Sequence, residues 1–440
     1  MSKNIEGIDI IRLAQGGEGL GYLPDGRVVF VEGAVPGDTV TVALETDKKR
    51  WARGAVEALE QASEHRGESG CEAFSRGCGG CQFWEVSPEK ELEWKVEAAR
   101  GAISRISGLK LEEETPVVKA PSVRDYRTRV TFHQREQDGE MVCGFFRSGT
   151  RQVVELERCP VASPAIDEAR QELMGVLGGL GAADITVETA GEGGAVVHIE
   201  LKRKGRIGKP KLEDLSRLVE QGLALRGVEI MSGDGEDYYI IGDTTVGAEE
   251  VLAYPPLSPM RVESGRFRQS NKEVNRKMVD HVRQIVEQSW ERPRLLELFS
   301  GSGNFSFALA EVVESLVGYE SSEGAVATAR QIAEISEGLE HLRFVEADLS
   351  EPPEVAQALN QPFEVLLLDP PRVGADEVAS RLASMDRGGQ VIYVSCDMGC
   401  LGRDIKTLAS AGWSLEGLCF FDLFPRTSHL EAVAVLEKGG

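Results

Sequence analysis

The feature that most constrains the fold is a regular alternation of short apolar segments and helix-like segments from Arg294 onward. Each apolar segment is long enough for one strand, and helical periodicity separates most of them. Such alternation is typical of a parallel sheet covered by helices. The last two segments are separated by a short loop, so we expect an antiparallel hairpin at the sheet edge. The predicted strands are 294–299, 315–320, 342–347, 363–369, 390–395, 415–422 and 430–437.

A glycine-containing turn follows the first predicted strand and opens a helix. Gly301 and Gly303 in this turn would let a ligand approach the backbone closely. Ser306 occupies the third glycine position of G-x-G-x-x-G, which disfavours a nicotinamide-dependent oxidoreductase. Glu320 ends the next strand, where a carboxylate can accept both ribose hydroxyls, and Asp348 ends the third, where it can reach an adenine edge. These groups at successive strand ends predict a crevice that binds a nucleoside. The alternative is a glycine turn with a purely structural role, next to acidic residues that are simply solvated.

Two further strand ends carry residues suited to covalent catalysis. Asp369 begins an Asp-Pro-Pro-Arg motif, whose prolines make the loop rigid. Cys396 follows the fifth strand, and Glu431 lies in the final hairpin. A thiolate that adds to carbon 6 of uracil activates carbon 5 towards a methyl sulfonium, and a carboxylate can then remove the carbon 5 proton. Each residue alone could equally be a buried thiol or a solvated acid; their joint occurrence predicts methylation of carbon 5.

Composition and charge limit the location and the partners. The chain has 440 residues, 41% of them hydrophobic, with no apolar run of membrane-spanning length and a polar first segment. We therefore expect two or three domains in a cytoplasmic protein that contacts no membrane. The net charge of -23 opposes general attraction to nucleic acid, so RNA binding requires a local basic strip. Candidate strips are 48–53, Arg124 with Arg127 and Arg129, and 202–206, the last being better explained as a solvated loop.

The first 262 residues divide into two parts. Residues 8–60 contain short β-rich segments separated by glycine-rich turns, a pattern that suits a small barrel of the kind that binds single-stranded nucleic acid. A helix is predicted from Pro88 to about Ser107. The remainder is mixed and β-rich, and its fold does not follow from the pattern.

The eight cysteines are too few and too unevenly spaced for a secreted disulfide scaffold, so metal binding or catalysis is expected. Cys71, Cys78 and Cys81 lie close together in the sequence, and Cys159 follows far downstream. Four thiolates can complete one metal site, and spacing alone does not separate zinc from an iron–sulfur cluster. Unligated core thiols are the alternative. Cys143 and Cys419 are interpreted as core residues.

The order of the motifs resembles the RNA 5-methyluridine methyltransferase family across nearly the whole chain. The resemblance implies that Cys396 is the nucleophile and Glu431 the base, as the chemical argument also predicts. It implies S-adenosylmethionine as the cofactor, with contacts from Gln269, Phe299, Asn304, Glu320 and Asp369, and with Asp348 as a looser match. The motifs are FRQSN at 267–271, LELFSGSGNF at 296–305, GYE at 318–320, LDPPR at 368–372, SCD at 395–397 and FPRTSHLE at 424–431.

The resemblance also implies three domains. Residues 1–61, with FVEGAVPGD at 30–38, look like a TRAM domain, a five-stranded OB-like β-barrel that holds RNA. Residues 62–262 form a mixed central domain, whose cysteines Cys71, Cys78, Cys81 and Cys159 bind a 4Fe-4S cluster, with zinc less favoured. Residues 263–440 form a Rossmann-like class I methyltransferase sheet, giving an α/β protein. The implied partner is ribosomal or transfer RNA, and we expect a monomer.

The chain departs from the family pattern at two positions. Met398 stands where a proline usually follows SCD, and Cys400 stands where threonine is common. Cys400 is expected to begin the next helix and face away from the nucleophile. Among rivals, a 5-methylcytidine enzyme would carry its nucleophile at Arg372, and an amino-methylating enzyme would carry an aromatic residue there. A non-catalytic RNA-binding protein would not need Cys396 with its carboxylate partner.

Overall fold

Three large β-sheets organise the chain in this computed structural model, which describes residues 3–191, 193–255, 261–265 and 267–439. A six-stranded sheet comes first, a seven-stranded sheet follows, and an eight-stranded sheet is formed mainly by the C-terminal part of the chain. Within the described ranges, no helix combines the length and the apolar character that crossing a membrane would need.

The N-terminal sheet is built from strands whose side chains alternate between core and surface. Val29, Val31, Val40 and Val42 are completely buried, and the residues between them are partly exposed. Six strands are present where five were predicted, because the first extended segment changes partner: its first part pairs with β5 and its second part with β3. The strands are β1 (Lys3–Asp9), β2 (Arg12–Leu13), β3 (Gly19–Tyr22), β4 (Val28–Glu32), β5 (Thr39–Asp47) and β6 (Trp51–Gln61), in the order β1-β5-β6-β4-β3-β2.

Two helices and a short strand lie between the first and second sheets. They are α1 (Glu72–Ser75), α2 (Pro88–Ser107) and β7 (Val117–Val118). The predicted bounds of α2 are confirmed. Its start is fixed by Ser87, whose side chain accepts a hydrogen bond from the Lys90 amide, and its end by Gly108 in the left-handed conformation (φ 79°).

The central sheet carries two helices that pack against its core. Leu173, Leu177 and Leu215 from these helices are completely or almost completely buried against strand residues such as Val197 and Ile230. The strands are β8 (Arg129–Gln137), β9 (Glu140–Phe146), β10 (Val153–Glu155), β11 (Ala183–Gly191), β12 (Gly194–Leu201), β13 (Leu225–Met231) and β14 (Tyr238–Gly242), in the order β10-β9-β8-β11-β12-β13-β14. The helices are α3 (Pro164–Leu177) and α4 (Lys209–Gln221), and β15 (Thr245–Gly247) pairs separately with β16 (Arg261–Glu263).

The C-terminal sheet confirms the predicted alternation, and every predicted strand is found within two residues of its expected bounds. The strand order is β19-β18-β17-β20-β21-β23-β22-β7. From β17 the chain adds β18 and β19 on one side and then β20 and β21 on the other, so the strand order reverses at β17. Ligands of such sheets bind beside this reversal, at the carboxyl ends of the strands. The elements are α5 (Lys272–Ser289), β17 (Arg294–Leu298), α6 (Ser306–Leu309), β18 (Ser315–Glu320), α7 (Glu323–Ile335), β19 (Leu342–Glu346), α8 (Pro352–Leu359), β20 (Val365–Leu368), α9 (Asp376–Ala383), β21 (Gly389–Ser395), α10 (Met398–Ser410), β22 (Ser414–Phe421) and β23 (Glu431–Lys438).

Two elements from the predicted central domain pack with this C-terminal sheet. The β22–β23 hairpin is antiparallel as predicted, but β7 pairs in parallel with β22 and occupies the edge expected for the hairpin. The helix α2 packs on α10, where a Cβ at Gly402 would lie 3.2 Å from the Cα of Ile103. Residues 88–118 therefore contribute to the packing of the C-terminal sheet.

Candidate active site

The turn after β17 has a backbone that suits a closely approaching ligand. Phe299, Gly301 and Gly303 all have positive φ values, of 66°, 54° and 92°. A Cβ at Gly303 would lie 2.5 Å from the ring of Phe307, whereas a Cβ at Gly301 would meet no atom within 4 Å. Glycine is thus required at 303 by packing, and the backbone at 301 faces open space at the carboxyl edge of the sheet.

Glu320 closes one side of this turn. Its carboxylate accepts hydrogen bonds from the amides of Gly301 at 3.0 Å and Ser322 at 2.8 Å. The parallel pairing of β17 with β18 brings these residues together. The carboxylate is thereby held beside the open face of Gly301, and Oε2, which within the described ranges accepts only the Gly301 amide, keeps a lone pair for a ribose hydroxyl. Asp348 is more peripheral: it is exposed and accepts hydrogen bonds from the amide and hydroxyl of Ser350.

Asn304 and Gln269 occupy different surroundings from each other. The amide group of Asn304 exchanges hydrogen bonds with Asn275 of α5 in both directions, each at 3.0 Å, and also accepts one from the Ala253 amide. Asn304 therefore ties the glycine turn to α5. Gln269 is half-buried between Arg268 and Asn271, which are both buried and hydrogen-bonded to backbone carbonyls of other segments. These neighbours fix the position of Gln269 while its own side chain remains partly accessible.

Three carboxyl groups lie buried or half-buried near this crevice. Burial raises the pKa of Glu297 to about 8, with smaller contributions from Asp369 and Glu320. Burial likewise raises the pKa of Asp369 to about 7, with Glu320 adding to the rise. The pKa of Glu431 is raised to about 8 by burial and then by Asp369, while Arg372 acts in the opposite direction. Near neutral pH these groups therefore exist partly as neutral acids.

The sheet register brings Cys396 and Glu431 to the same end of two neighbouring strands. Ser395 of β21 pairs with Ala432 of β23, so the residue after one and the residue before the other are adjacent. Cys396 lines a cavity of about 350 Å³ together with Arg372 and other residues. Burial raises the pKa of its thiol to about 12, with Glu431 adding to the rise and Arg372 opposing it. The structure thus makes the predicted nucleophile, which lines the cavity, a neighbour of the predicted base, which is buried beside it.

Arg372 and His429 were not assigned roles from the sequence. A terminal guanidinium nitrogen of Arg372 lies 3.2 Å from Nε2 of His429, and both residues line the cavity of Cys396. Burial lowers the pKa of His429 to about 4, and the positive charge of Arg372 contributes to this shift. His429 is therefore neutral at physiological pH and accepts the hydrogen bond. The only sequence signal for this pair was its occurrence in the motifs LDPPR and FPRTSHLE.

The loop before Glu431 is fixed by α2. Lys95 is buried and donates to Asp422 at 2.7 Å, and it also pairs with Glu91 at 3.4 Å. Glu91 in turn accepts a hydrogen bond from the Arg426 amide at 2.7 Å. Arg426 has φ 69°, an unusual conformation for a residue with a side chain. Two turns of α2 therefore hold the loop that leads to His429.

The four predicted metal-binding cysteines line one cavity. Cys71, Cys78, Cys81 and Cys159 enclose about 30 Å³ together with Arg127 and apolar side chains. Burial raises the thiol pKa values of the last three, to about 12 for Cys81 and about 11 for Cys159. Among the residues that the structure describes, no three His, Cys, Asp or Glu side chains converge closely enough to hold a single metal ion.

The remaining cysteines agree with their predicted settings. Cys143 and Cys419 are buried in apolar cores. Cys400 lies in the first turn of α10, where its amide donates to Asp397 at 2.8 Å. A Cβ at Gly374 would lie 2.8 Å from the Cβ of Cys400, so this side of Cys400 packs against the loop that follows Arg372.

Known proteins are similar in sequence to almost the full length of this chain. The family model described as tRNA (Uracil-5-)-methyltransferase matches residues 257–439, and the TRAM domain model matches residues 5–56. The 23S rRNA (uracil(1939)-C(5))-methyltransferase RlmD of Methylococcus capsulatus is 30% identical, over 97% of this chain and 95% of that protein. The enzyme of the same name from Vibrio parahaemolyticus is 28% identical, over 98% of this chain and 96% of that protein.

A solved structure has the same overall fold. Pyrococcus abyssi tRNA (uracil-54, C5)-methyltransferase in complex with S-adenosyl-L-homocysteine matches with a TM-score of 0.72 and 22% identity, covering 98% of this chain and 100% of that chain. The fold of that protein, the family model over the C-terminal sheet and the 30% identity to the Methylococcus enzyme lead to one assignment. The chain belongs to the family of S-adenosylmethionine-dependent RNA uracil-C5 methyltransferases.

Proposed function

We propose that this enzyme forms 5-methyluridine through a covalent RNA adduct, with Cys396 as the nucleophile and Glu431 as the base. The observation that supports the proposal is the pairing of Ser395 with Ala432, because it makes Cys396 and Glu431 neighbours beside the cavity that Cys396 lines. Asp369 and Arg372 lie within electrostatic range of the thiol. A nucleophile, a base and a cation are therefore available at one position.

The reaction proceeds in three steps. The Cys396 thiol loses its proton to water in the cavity and adds as the thiolate to carbon 6 of uracil, and the electron pair of the 5,6 double bond moves towards the carbon 4 carbonyl oxygen. Carbon 5 then takes the methyl group, and the sulfonium becomes a neutral thioether. Glu431 removes the carbon 5 proton, and the released pair restores the double bond and expels the thiolate.

The residues at the glycine turn fit S-adenosylmethionine. Gly301 presents an open backbone face, and Glu320 holds a carboxylate beside it that can accept the ribose hydroxyls. When bound, S-adenosylmethionine supplies an electrophilic methyl group. The family resemblance extends this site to Gln269, Phe299 and Asp369. Asn304 stabilises the turn through Asn275 and needs no direct cofactor contact for that role.

Arg372 and His429 have a role in the first step. Thiol addition places negative charge on the uracil carbonyl oxygens, and a cation in the same cavity stabilises that charge. The neutral His429 ring accepts a hydrogen bond from Arg372 and so orients the guanidinium. Arg372 also opposes part of the rise that burial and Glu431 impose on the pKa of the Cys396 thiol.

For the RNA target we propose ribosomal RNA of the large subunit. The Methylococcus and Vibrio relatives, which match over nearly their full lengths, are named for a uridine of 23S rRNA. The Pyrococcus enzyme named for transfer RNA supports the fold alone, since its identity is 22%. Within the enzyme, residues 1–61 would form a barrel that holds RNA, 62–262 a central domain, and 263–440 the catalytic domain.

Nucleoside mass spectrometry tests the reaction and the target together. The 23S rRNA and the transfer RNA should be purified separately from cells with and without the gene, and from cells carrying the Cys396→Ala variant. We expect 5-methyluridine to disappear from 23S rRNA in the deletion and the variant, and to remain in transfer RNA. Loss from transfer RNA alone would contradict the proposed target, and no loss from either would contradict the proposed function.

We further propose a 4Fe-4S cluster as the occupant of the cysteine cavity. Cys71, Cys78, Cys81 and Cys159 line it together, which is the ligand set such a cluster needs. Four thiolates could also bind zinc, and the family resemblance favours the cluster. Arg127 lies in the cavity wall, where its charge would offset part of the negative charge of the thiolates.

A further inference from the structure

Arg268, the second residue of the FRQSN motif, is buried and held by the central sheet. Its side chain is 1% exposed. One terminal nitrogen donates to the backbone oxygens of Thr128 and Thr189 at 3.0 Å each, and the other donates to the backbone oxygen of Glu250 at 3.3 Å. A buried cation needs compensating charge as well as hydrogen bonds. The carboxylates of Glu188 and Glu250 provide that charge, at 3.3 and 3.6 Å.

Glu188 binds two points of the segment that contains Arg268. It lies in β11 and is 1% exposed. Its Oε1 accepts a hydrogen bond from the Gly265 amide at 2.6 Å, and its Oε2 lies 3.3 Å from the Arg268 guanidinium. His198 of β12 contacts Oε1 through Nε2 at 2.6 Å, and its Nδ1 lies 3.0 Å from Glu229. One buried carboxylate thus joins the central sheet to two residues of this segment.

The charges of this network are maintained at neutral pH. Burial alone would raise the pKa of Glu188 and lower that of His198. The cations His198 and Arg268 instead lower the pKa of Glu188. The carboxylates of Glu188 and Glu229 raise the pKa of His198 to about 9. Glu188 is therefore an anion between two cations, and both ring nitrogens of His198 donate hydrogen bonds.

The residues on both sides of Gln269 are bound to the same residue of the central sheet. The carbonyl of Thr128 accepts a hydrogen bond from Arg268, and its amide donates to the carbonyl of Ser270 at 2.9 Å. Gln269 is half-buried, and Phe267 is 79% exposed. Because these side chains are only partly packed or not packed at all, the contacts of Arg268 and Ser270 determine where Gln269 lies.

We propose that Arg268 is a positioning residue for the cofactor: together with Glu188, it keeps Gln269 where its side chain contacts S-adenosylmethionine. The proposal rests on the proposed function, which assigns that contact to Gln269. The location of the network supports it. Val196, the partner of Glu188 in the strand register, belongs to an apolar cluster that also packs against Phe307 of α6, directly after the glycine turn. The network therefore lies where the central sheet meets the cofactor crevice.

A double-mutant cycle in the affinity for S-adenosylmethionine tests this role. Arg268→Lys keeps the buried charge but loses the planar group that donates to three carbonyls. We expect the dissociation constant in calorimetry to rise roughly 2- to 10-fold, the loss expected for one hydrogen bond. Gln269→Ala should weaken binding to a similar extent. If Arg268 acts through Gln269, Arg268→Lys should cause no further loss in Gln269→Ala, whereas a general loosening of the crevice would add to the loss.

Arg135→Lys is the matched control. Arg135 donates to two backbone carbonyls of the central sheet, at 2.8 and 2.7 Å, and pairs with Asp184 of β11, which also binds a histidine. It thus repeats the kinds of contact that Arg268 makes. It lies in β8 seven residues after Thr128, which is about 23 Å along an extended strand. Its substitution should leave the affinity for S-adenosylmethionine at the wild-type value.

Glu188→Gln provides a second variant, in case the lysine substitution disturbs the fold. It removes the charge opposite Arg268 and preserves the size of the side chain. The KM for S-adenosylmethionine should rise by a larger factor than kcat falls, and the dissociation constant should rise only when Gln269 is intact. Thermal melting verifies that each variant is folded.

The outcomes separate the positioning role from the proposed function. If Gln269→Ala weakens cofactor binding, but the Arg268 and Glu188 variants bind like the wild type or their losses add to that of Gln269→Ala, the positioning role is wrong and the cofactor contact stands. An equal effect of Arg135→Lys would also overturn the role. If Gln269→Ala leaves the affinity unchanged, both the contact and the role are wrong. If the cycle behaves as expected but the wild-type enzyme methylates no RNA, the role stands and the proposed function fails.

Discussion

The carbonyl oxygen of Arg426 accepts a hydrogen bond from the backbone amide of Gln82 at 2.8 Å. Gln82 directly follows Cys81, and Arg426 belongs to the loop that leads to Glu431. A second contact runs alongside, since the Ser428 amide donates to the side-chain oxygen of Gln82 at 3.0 Å. Gln82 therefore connects the cysteine cavity with the loop that precedes Glu431.

Gln82→Ala tests this connection. The variant loses the acceptor for the Ser428 amide, a bond worth about 0.5–1.5 kcal/mol, so the loop should hold His429 and Glu431 less well. We expect kcat for methylation to fall roughly 2- to 10-fold, with the affinity for S-adenosylmethionine unchanged. Gln82→Glu keeps an acceptor oxygen and should restore most of the rate. An unchanged kcat in Gln82→Ala would show that the contact does not position the loop.

The four thiols that line one cavity predict which metal the purified enzyme contains. Enzyme purified without air should be brown and contain about four irons per chain, and Cys81→Ser should lose them. Cys143→Ser is the matched control: Cys143 is buried in the same apolar core but does not line the cavity. Colourless wild-type enzyme with one tightly bound zinc would contradict the cluster, and so would equal iron loss in the control. Removal of the metal should also lower kcat, through Gln82.

The proposed contact of Glu320 with the ribose predicts a specific loss of cofactor affinity. Glu320→Ala removes the carboxylate beside Gly301, and we expect S-adenosylmethionine binding to weaken by about 1–3 kcal/mol in calorimetry. Glu346→Ala is the control, because Glu346 lies directly across from Glu320 on the neighbouring strand and is exposed. If both variants bind the cofactor like the wild type, the ribose is held elsewhere.

The buried carboxyl of Glu297 predicts a pH dependence of stability. Its pKa is raised from 4.5 to about 8, chiefly by burial. Between these values the unfolded chain has released the proton and the folded chain retains it, so the free energy of unfolding falls as the pH rises through this window. Glu297→Gln removes this titration. Its stability relative to the wild type should therefore increase from pH 5 to pH 8.

Urea denaturation at several pH values provides the comparison. The exposed Glu346→Gln serves as the control and should follow the wild type at every pH. If the difference between Glu297→Gln and the wild type is the same at pH 5 and pH 8, Glu297 does not titrate with a raised pKa in the folded enzyme.

Local patterns in the sequence were sufficient for the C-terminal sheet and for the adjacency of Cys396 and Glu431. Apolar segments separated by helical periodicity determine the strands, and strands of a parallel sheet align their carboxyl ends at one edge. Cys396 and Glu431 were therefore predicted to face one crevice, and the register of Ser395 with Ala432 agrees. The helix α2 was predicted with correct bounds because its caps, Ser87 and Gly108, are adjacent to it.

Long-range packing could not be predicted in the same way. The contact of α2 with α10 joins residues such as Ile103 and Gly402, which lie about three hundred positions apart, and either helix could have covered another face. The hydrogen bond between Arg372 and His429 could not be predicted either, since the two residues lie at the ends of different strands. The hydrogen bonds between Asn304 and Asn275 were likewise not predicted, since they join the glycine turn to a different helix.

The most direct test of the account is covalent trapping of labelled RNA by variants of the two catalytic residues, measured on a denaturing gel with S-adenosylmethionine present. Glu431→Gln can still add the thiolate and transfer the methyl group but lacks the base that allows release, so a shifted protein–RNA band should persist. Cys396→Ala should never give that band, alone or combined with Glu431→Gln. A band that survives in the double variant and disappears with Cys400→Ala would identify Cys400 as the nucleophile and contradict the central claim.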